Sequence, residues 1–256
     1  MSTNSGFNVA ADAYDRFMGR YSTLLSPQMA DLAGVARHQR VLDVGCGPGA
    51  LTAVLVDRVG ADNVTAVDPS EPFVEAARLR FPEVDIRQAP AEDLPFEADA
   101  FDAAIAQLVV HFMTDPVAGL REMRRVTRPG GIVAACVWDH AGGRGPLSTF
   151  WEAARQLNPT AADESRLAGA RRDHLGELFE AAGISDIEQS EIGAAQRHPT
   201  FDEWWEPYTQ GVGPAGAYVA GLDEAGRAQL RDRCRELLPD PPFTLESVAW
   251  TARGRA

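Results

Sequence analysis

The sequence predicts an α/β protein built on a doubly wound, largely parallel sheet, and three observations carry that prediction. Short apolar runs alternate with segments of helical spacing. The runs are continuously apolar, as expected of strands buried on both faces of a parallel sheet. The first of them ends in the glycine turn Gly45-Cys46-Gly47-Pro48-Gly49. Right-handed crossovers then wind helices onto both faces, and ligands are expected at the carboxyl ends of the strands.

Taken in order, residues 8–33 read as helical with a break at Pro27, where the ring removes a backbone donor. Val41–Val44 is a short buried strand running into the turn, and Leu51, Val54, Leu55 and Val59 follow at helical spacing. Val64–Asp68 is the second strand, and Ser70 is the expected N-cap of the helix behind it. Residues 84–86 and 101–106 are the third and fourth strands. A helix over 115–127 stops at Arg128-Pro129-Gly130-Gly131, and 132–137 is a wholly apolar fifth strand. Beyond a Gly-rich hinge at 141–146, helical segments carry Trp151, Leu167, Leu178 and Phe179. A sixth strand at 184–192, an aromatic insertion at 201–218, a helix near 223–238 and a last strand at 244–252 complete the pattern. One domain over 1–256 is expected, with an N-terminal helical cap (8–33), a core (38–138) and helical acceptor or lid regions (140–182 and 200–240).

Composition excludes several chemistries. All 24 basic residues are arginine, which removes Schiff-base chemistry, a lysine general base and a P-loop lysine. The 37 acidic residues leave a formal net charge of -13, a field that repels phosphate backbones, so no nucleic-acid partner is expected. The cysteines Cys46, Cys136 and Cys234 are dispersed, so neither a zinc site nor a disulfide framework is indicated and no metal is expected. The apolar runs fall short of the ~20 residues a membrane span requires, and the first residues lack a signal-peptide pattern. A cytoplasmic protein without a membrane partner is the expectation.

The strand–turn–helix arrangement is that of a nucleotide site. Gly45-x-Gly47-x-x-Ala50 fits a dinucleotide fingerprint, with Asp68 near the expected ribose carboxylate. Two residues oppose a diphosphate. Asp43 places like charge beside it, and Pro48 removes an N–H from the loop that would cradle it. A ligand carrying a sulfonium or ammonium reverses the first objection, because Asp43 then attracts it.

On these residues the chain resembles the class I S-adenosylmethionine-dependent methyltransferases, in particular their small-molecule, UbiE-like branch. Val41 to Gly49 resembles the family's first motif and Ala66-Val67-Asp68-Pro69-Ser70 its second-strand acidic motif. Ala91-Glu92-Asp93-Leu94-Pro95-Phe96 with Phe101-Asp102 resembles the adenine loop and fourth strand, and Arg124 to Gly131 the segment before strand five. The resemblance covers about residues 38–138 in the family's order. It implies a Rossmann-like seven-stranded sheet, mostly parallel with the last strand antiparallel. It also implies that S-adenosyl-L-methionine is the cofactor and a small molecule the methyl acceptor.

Carried over residue by residue, the resemblance assigns Gly45 and Gly47 to a close approach of the backbone to the cofactor. Asp43 orients the turn or meets the amino group through water. Asp68 accepts from both ribose hydroxyls, Pro69 lies beside the adenine, and Ala91 and Glu92 bind it through the backbone. Pro90 stands where the family often has Asp, which removes the usual contact to the exocyclic amine. Gln107 falls near the sulfonium. Tyr14, Arg16 and Tyr21 belong to a cap that closes over the cofactor. His111, four residues after Gln107, is the candidate general base. Trp138, Trp151, Trp204, Trp205, Tyr208 and Tyr218 are read as acceptor-pocket lining or lid core, and Arg124, Arg125 and Arg128 as a solvated helix end.

The expected reaction is an in-line methyl transfer whose main requirement is orientation. The alternatives are a cofactor-binding regulatory protein without turnover and an NAD(P)-dependent oxidoreductase. A monomer or homodimer is expected.

Overall fold

Seven strands, β1 (Val41–Val44), β2 (Val64–Asp68), β3 (Asp85–Gln88), β4 (Phe101–Gln107), β5 (Thr127–Trp138), β6 (Ser185–His198) and β7 (Phe243–Arg255), form one sheet in the order β3-β2-β1-β4-β5-β7-β6. The computed structural model describes residues 15–161 and 163–256. All neighbouring pairs among β1 to β5 are parallel, and β7 runs antiparallel to both β5 and β6. The strand order reverses between β2-β1 and β4-β5, so a crevice opens at the carboxyl ends of β1 and β4. The seven-stranded, doubly wound expectation is met.

The two faces of the sheet separate by the strand period of two. Val41, Ala103, Ile105, Ala134 and Cys136 face α1 (Arg20–Leu32), α2 (Ala50–Val59) and α3 (Glu71–Arg80). Leu42, Val44, Ala104, Ala106, Val133 and Val137 face α4 (Pro116–Val126) and α6 (His174–Ala181). A third apolar cluster belongs to the lid, made by α5 (Ser148–Leu157), α7 (Phe201–Trp205), α8 (Gly213–Ala220) and α9 (Glu224–Leu237). Its aromatic centre stacks Phe150 on Tyr208, with ring centroids 4.6 Å apart, and places Phe17 edge-on to Tyr208 at 5.0 Å.

Several boundaries differ from the sequence reading for identifiable reasons. The helix continues through Pro27, and α1 is not chiefly a cap. Tyr21, Leu25 and Met29 make an apolar stripe at a spacing of four that lies on the sheet, and only the preceding turn, Asp15–Gly19, leads toward the lid. Residues 8–14 of the expected cap, including Tyr14, fall outside the described residues. Ser70 occupies the N-cap position of α3, yet its hydroxyl is buried and makes no capping bond; its N–H donates instead to Asp68 Oδ1 (2.8 Å).

Arg128 to Gly131 end α4 as expected but bulge within the start of β5, where pairing jumps from Phe101↔Thr127 to Ala103↔Ile132. The end of β7 stabilises the bulge: Gly130 N–H donates to Ala256 O (3.2 Å) and Arg255 Nη1 to Gly130 O (2.7 Å). β6 runs to His198 rather than 192; it is an edge strand with mostly exposed side chains, so its apolar signal fades before its pairing does.

Candidate cofactor and acceptor site

The turn after β1 satisfies itself. Gly45 and Cys46 N–H donate to Val67 O (2.8 and 2.9 Å), Gly47 N–H to Asp68 Oδ2 (2.9 Å) and Gly49 N–H to Cys46 O (3.0 Å), while Pro48 has no N–H. A diphosphate at this turn would therefore meet engaged donors. Behind the turn, the buried Asp43 carboxylate accepts from Thr52 Oγ1 (2.6 Å) in the first turn of α2. When ionised it places negative charge at the helix end a phosphate would otherwise use. The contact ties the end of β1 to the first turn of α2.

The glycines divide the work. Gly45 (φ +71°) and Gly49 (φ +96°) are left-handed and tightly packed, because a Cβ would sit 2.4 Å from Val109 Cγ2 or 2.5 Å from the Phe81 ring. Gly47 (φ +53°) is also left-handed, but its missing side chain faces open space. Gly45 is thus a packing glycine, and Gly47 is the one past which a ligand can approach the backbone.

Asp68 ends β2 with both oxygens engaged once, by Gly47 N–H and Ser70 N–H (2.9 and 2.8 Å). An ionised carboxylate has about four acceptor positions, so each oxygen retains capacity for a hydroxyl donor, which suits a vicinal diol. Pro69 is exposed beside it, its carbonyl tied by Gln88 Nε2 (3.1 Å). Ala91 is buried; among the described residues, neither its N–H nor that of Glu92 has an intramolecular acceptor, as adenine recognition through the backbone requires. The Glu92 side chain is committed elsewhere: Oε1 accepts from Thr114 and Asp115 N–H (2.7 and 3.2 Å) ahead of α4. Arg125 is likewise not simply a solvated helix end. It pairs with Glu122 and donates to Leu94 O (3.0 Å) and Phe96 O (2.8 Å), fixing the 91–96 loop.

Burial raises Asp43 from 3.8 to about 7, with the nearby Asp68 adding to the shift, and burial raises Asp68 to about 6. Between about pH 4 and pH 7 the folded chain therefore holds protons that the unfolded chain has released, and this contribution to stability falls as pH rises. The buried His111 and His198 and the half-buried His140, all pushed down by desolvation, act in the opposite direction as pH falls. The difference between wild type and Asp43→Asn isolates the carboxyl: in urea unfolding at pH 5 and pH 8, wild type is expected to lose stability relative to the variant at pH 8. An identical pH response of the two proteins would remove this account of Asp43.

The second half of the site is a cavity of about 480 Å³, including its open mouth, between the strand ends and the lid. Its apolar lining includes Phe17, Met18, Leu108, Trp138, Leu147 and Val212; its polar groups are His111, His140 and Glu164. Leu108 is the hinge between the two halves. It takes φ +62°, and its neighbour Val109 packs on Gly45 while Leu108 and His111 line the cavity. Burial, with His140 nearby, pushes His111 well below its ordinary value, so the ring is neutral, and Nδ1 is buried without a partner.

The structure brings Asp43, Gly45, Gly47 and Asp68 together and sets Gln107 and His111 at the end of β4 and just beyond it. Gln107 Nε2 donates to Ser22 O (3.1 Å) on α1, and its Oε1 is buried without a partner. Two cap residues are placed otherwise than expected. Arg16 is exposed, its carbonyl accepting from Arg20. Tyr21 is buried against Trp138 and within 3.4 Å of His198 Nε2, where burial pushes its hydroxyl up to about 12. Of the aromatics, Trp138 lines the cavity, whereas Trp204, Trp205 and Tyr208 are lid core. Sequence reading missed His140 and Glu164. His140, two residues past β5, stands where a strand-end rule could have found it; Glu164 lies in an irregular segment that offers no periodic signal.

A glycine turn with no free donor for a diphosphate, beside an acid with capacity for a diol, fits the cofactor site of the class I, S-adenosylmethionine-dependent methyltransferases that the sequence resembles. The methyltransferase-domain family model matches residues 42–135. An uncharacterised protein of Mycobacterium tuberculosis is 30% identical over 250 residues, covering 90% of this chain and 86% of that one. The 2-methyl-6-phytyl-1,4-hydroquinone methyltransferase 2 of Oryza sativa subsp. japonica is 36% identical over 161 residues, 62% of this chain and 42% of that protein. The chain thus spans less than half the length of that relative. A phosphoethanolamine N-methyltransferase of Haemonchus contortus, solved with S-adenosylhomocysteine, shares the fold at TM-score 0.57 and 16% identity, covering 96% of this chain and 59% of that one. The chain belongs to the methyltransferase-domain family, and its sheet has the fold of the solved methyltransferases.

Proposed function

We propose that the chain transfers a methyl group from S-adenosylmethionine to a small-molecule acceptor held in the cavity under the lid. One observation carries the reading: the segment Leu108 to His111 joins the two halves, packing on the glycine turn through Val109 and lining the cavity through Leu108 and His111. Asp68 holds the ribose, Gly47 lets the amino-acid part approach, and the Ala91–Glu92 backbone takes the adenine. Asp43 keeps the turn in shape. The cofactor supplies an electrophilic methyl on a sulfonium; the protein contributes orientation and the exclusion of water.

A small acceptor is favoured over nucleic acid by the net charge of -13 and by the mainly apolar cavity under the lid. Among the described residues no helix is long and apolar enough to cross a membrane. Work in the cytoplasm as a monomer or homodimer belongs to the same reading.

Thermal shift with S-adenosylmethionine, S-adenosylhomocysteine and NADH is the first test. The sulfur nucleosides should stabilise the fold, by about 2.7 kcal/mol at a hundredfold excess over Kd, and NADH should leave it unchanged. Stabilisation by NADH alone would overturn the reading in favour of the oxidoreductase. Binding of the sulfur nucleosides without transfer of labelled methyl to any of a panel of phenols, amines and acids would favour the regulatory alternative.

A further inference from the structure

Resting on that reading, we propose that the acceptor is an apolar molecule carrying one neutral hydroxyl, which His111 Nδ1 and His140 Nε2 hold between them, and that His140 is the catalytic base. The two rings lie edge to face with centroids 5.8 Å apart, on the wall of one cavity. Both named nitrogens are buried and without a partner, a cost that a hydroxyl ligand would relieve. A hydroxyl suits the pair because it donates to one ring and accepts from the other.

The remaining lining argues against charged acceptors. Glu164 is the only charged residue lining the cavity among the described residues, so a carboxylate or phosphate acceptor would find no cation. Arg155, in the small cavity beyond His140 and Glu164, is already paired with Asp163. An ammonium would find only Glu164, whose Oε2 already accepts from Trp151 Nε1 (2.8 Å) and whose carboxyl burial raises to about 7.

Assignment of the base to His140 follows from what faces each ring. His140 follows Asp139 in the chain and lines, with Asp163, the small cavity beyond, and both carboxylates favour its imidazolium, whereas the rings beside His111 are those of His140 and Phe112. The loop is also held in place: Asp139 accepts from Gly142 N–H (2.8 Å) and Arg144 Nε (2.6 Å), and His140 N–H donates to Trp138 O (2.8 Å). Burial leaves His140 near about 4 and therefore neutral at physiological pH, with its ring lone pair available. In the transfer, an oxygen lone pair forms the bond to the methyl carbon. The methyl–sulfur bond breaks with its electron pair staying on sulfur, and the O–H proton passes to His140 Nε2. The oxygen becomes strongly acidic as it is alkylated, so a weak base suffices.

The test is calorimetry with the cofactor site filled by S-adenosylhomocysteine, using 4-ethylphenol, 4-ethylanisole, 4-ethylbenzoate and 4-ethylbenzylamine as probes. The phenol should bind at least tenfold more tightly than the other three. His111→Phe and His140→Phe should remove that preference while leaving S-adenosylhomocysteine affinity unchanged, which also reports that the variants fold. His140→Gln, which keeps a hydrogen-bonding side chain but no basic nitrogen, should retain phenol binding and lose at least tenfold in methylation rate. Equal binding of phenol and ether, no phenol binding to a cofactor-loaded protein, or full turnover by His140→Gln would each overturn the proposal. Failure of S-adenosylhomocysteine itself to bind would instead overturn the functional reading beneath it.

Discussion

Asp68→Ala is expected to raise the Kd for S-adenosylhomocysteine roughly 5- to 150-fold, the loss of about 1–3 kcal/mol that follows removal of charge-assisted hydrogen bonds. Two effects combine. In the proposed site the carboxylate is the acceptor for a ribose diol; it also holds Gly47 N–H and Ser70 N–H, so alanine would remove the ligand contact and loosen both flanking loops. Asp68→Asn is not a silent control, since its amide NH2 must face one of those two N–H donors. The pH dependence has a definite sign. Burial raises Asp68 to about 6, and hydroxyl donors favour the ionised form, so wild-type affinity should weaken as pH falls below about 6 and level off above it. The Asn variant should lose this step. Calorimetric titrations at pH 5 and pH 7.5 measure both effects, and unchanged affinity in Asp68→Ala would remove the residue from the site.

The parts of this site that were legible in the sequence are those that backbone chemistry dictates. Only glycine sits comfortably at the left-handed positions 45, 47 and 49, and only a short acid at the end of β2 can brace the turn between β1 and α2. The continuous apolar runs also announced the central strands. What could not be read depends on packing between distant segments. Tyr21 looks from sequence like a residue of a closing cap, yet Leu25 and Met29 pull its helix onto the sheet, and its hydroxyl meets His198 from β6, 177 positions away. His140 and Glu164 meet at the cavity only because the lid folds back over the strand ends, which no local pattern encodes. Glu92 shows the converse: a motif position can carry a structural side chain while its backbone remains free for function.

The three glycines of the turn make different predictions, although a motif treats them alike. Gly45→Ala should destabilise the fold by about 2–5 kcal/mol, combining about 1–2 for a left-handed non-glycine residue with about 1–3 for overpacking against Val109. The contact distance of 2.4 Å requires Val109 to move, and that shift would pass directly to Leu108 in the cavity wall. Gly49→Ala meets the Phe81 ring at 2.5 Å and should behave similarly. Gly47→Ala meets nothing within 4 Å, so its stability cost should be confined to the backbone, about 1–2 kcal/mol. Its effect should appear in binding instead, because the added methyl would occupy the open space beside Gly47 in which the proposed site places the cofactor. Urea unfolding should therefore rank Gly45→Ala well below Gly47→Ala in stability, while S-adenosylhomocysteine titration should show at least a tenfold loss for the folded Gly47→Ala protein. Wild-type affinity in Gly47→Ala would mean that the ligand approaches the turn from another side. The same stability loss at both positions would mean that the contact with Val109 does not control the turn.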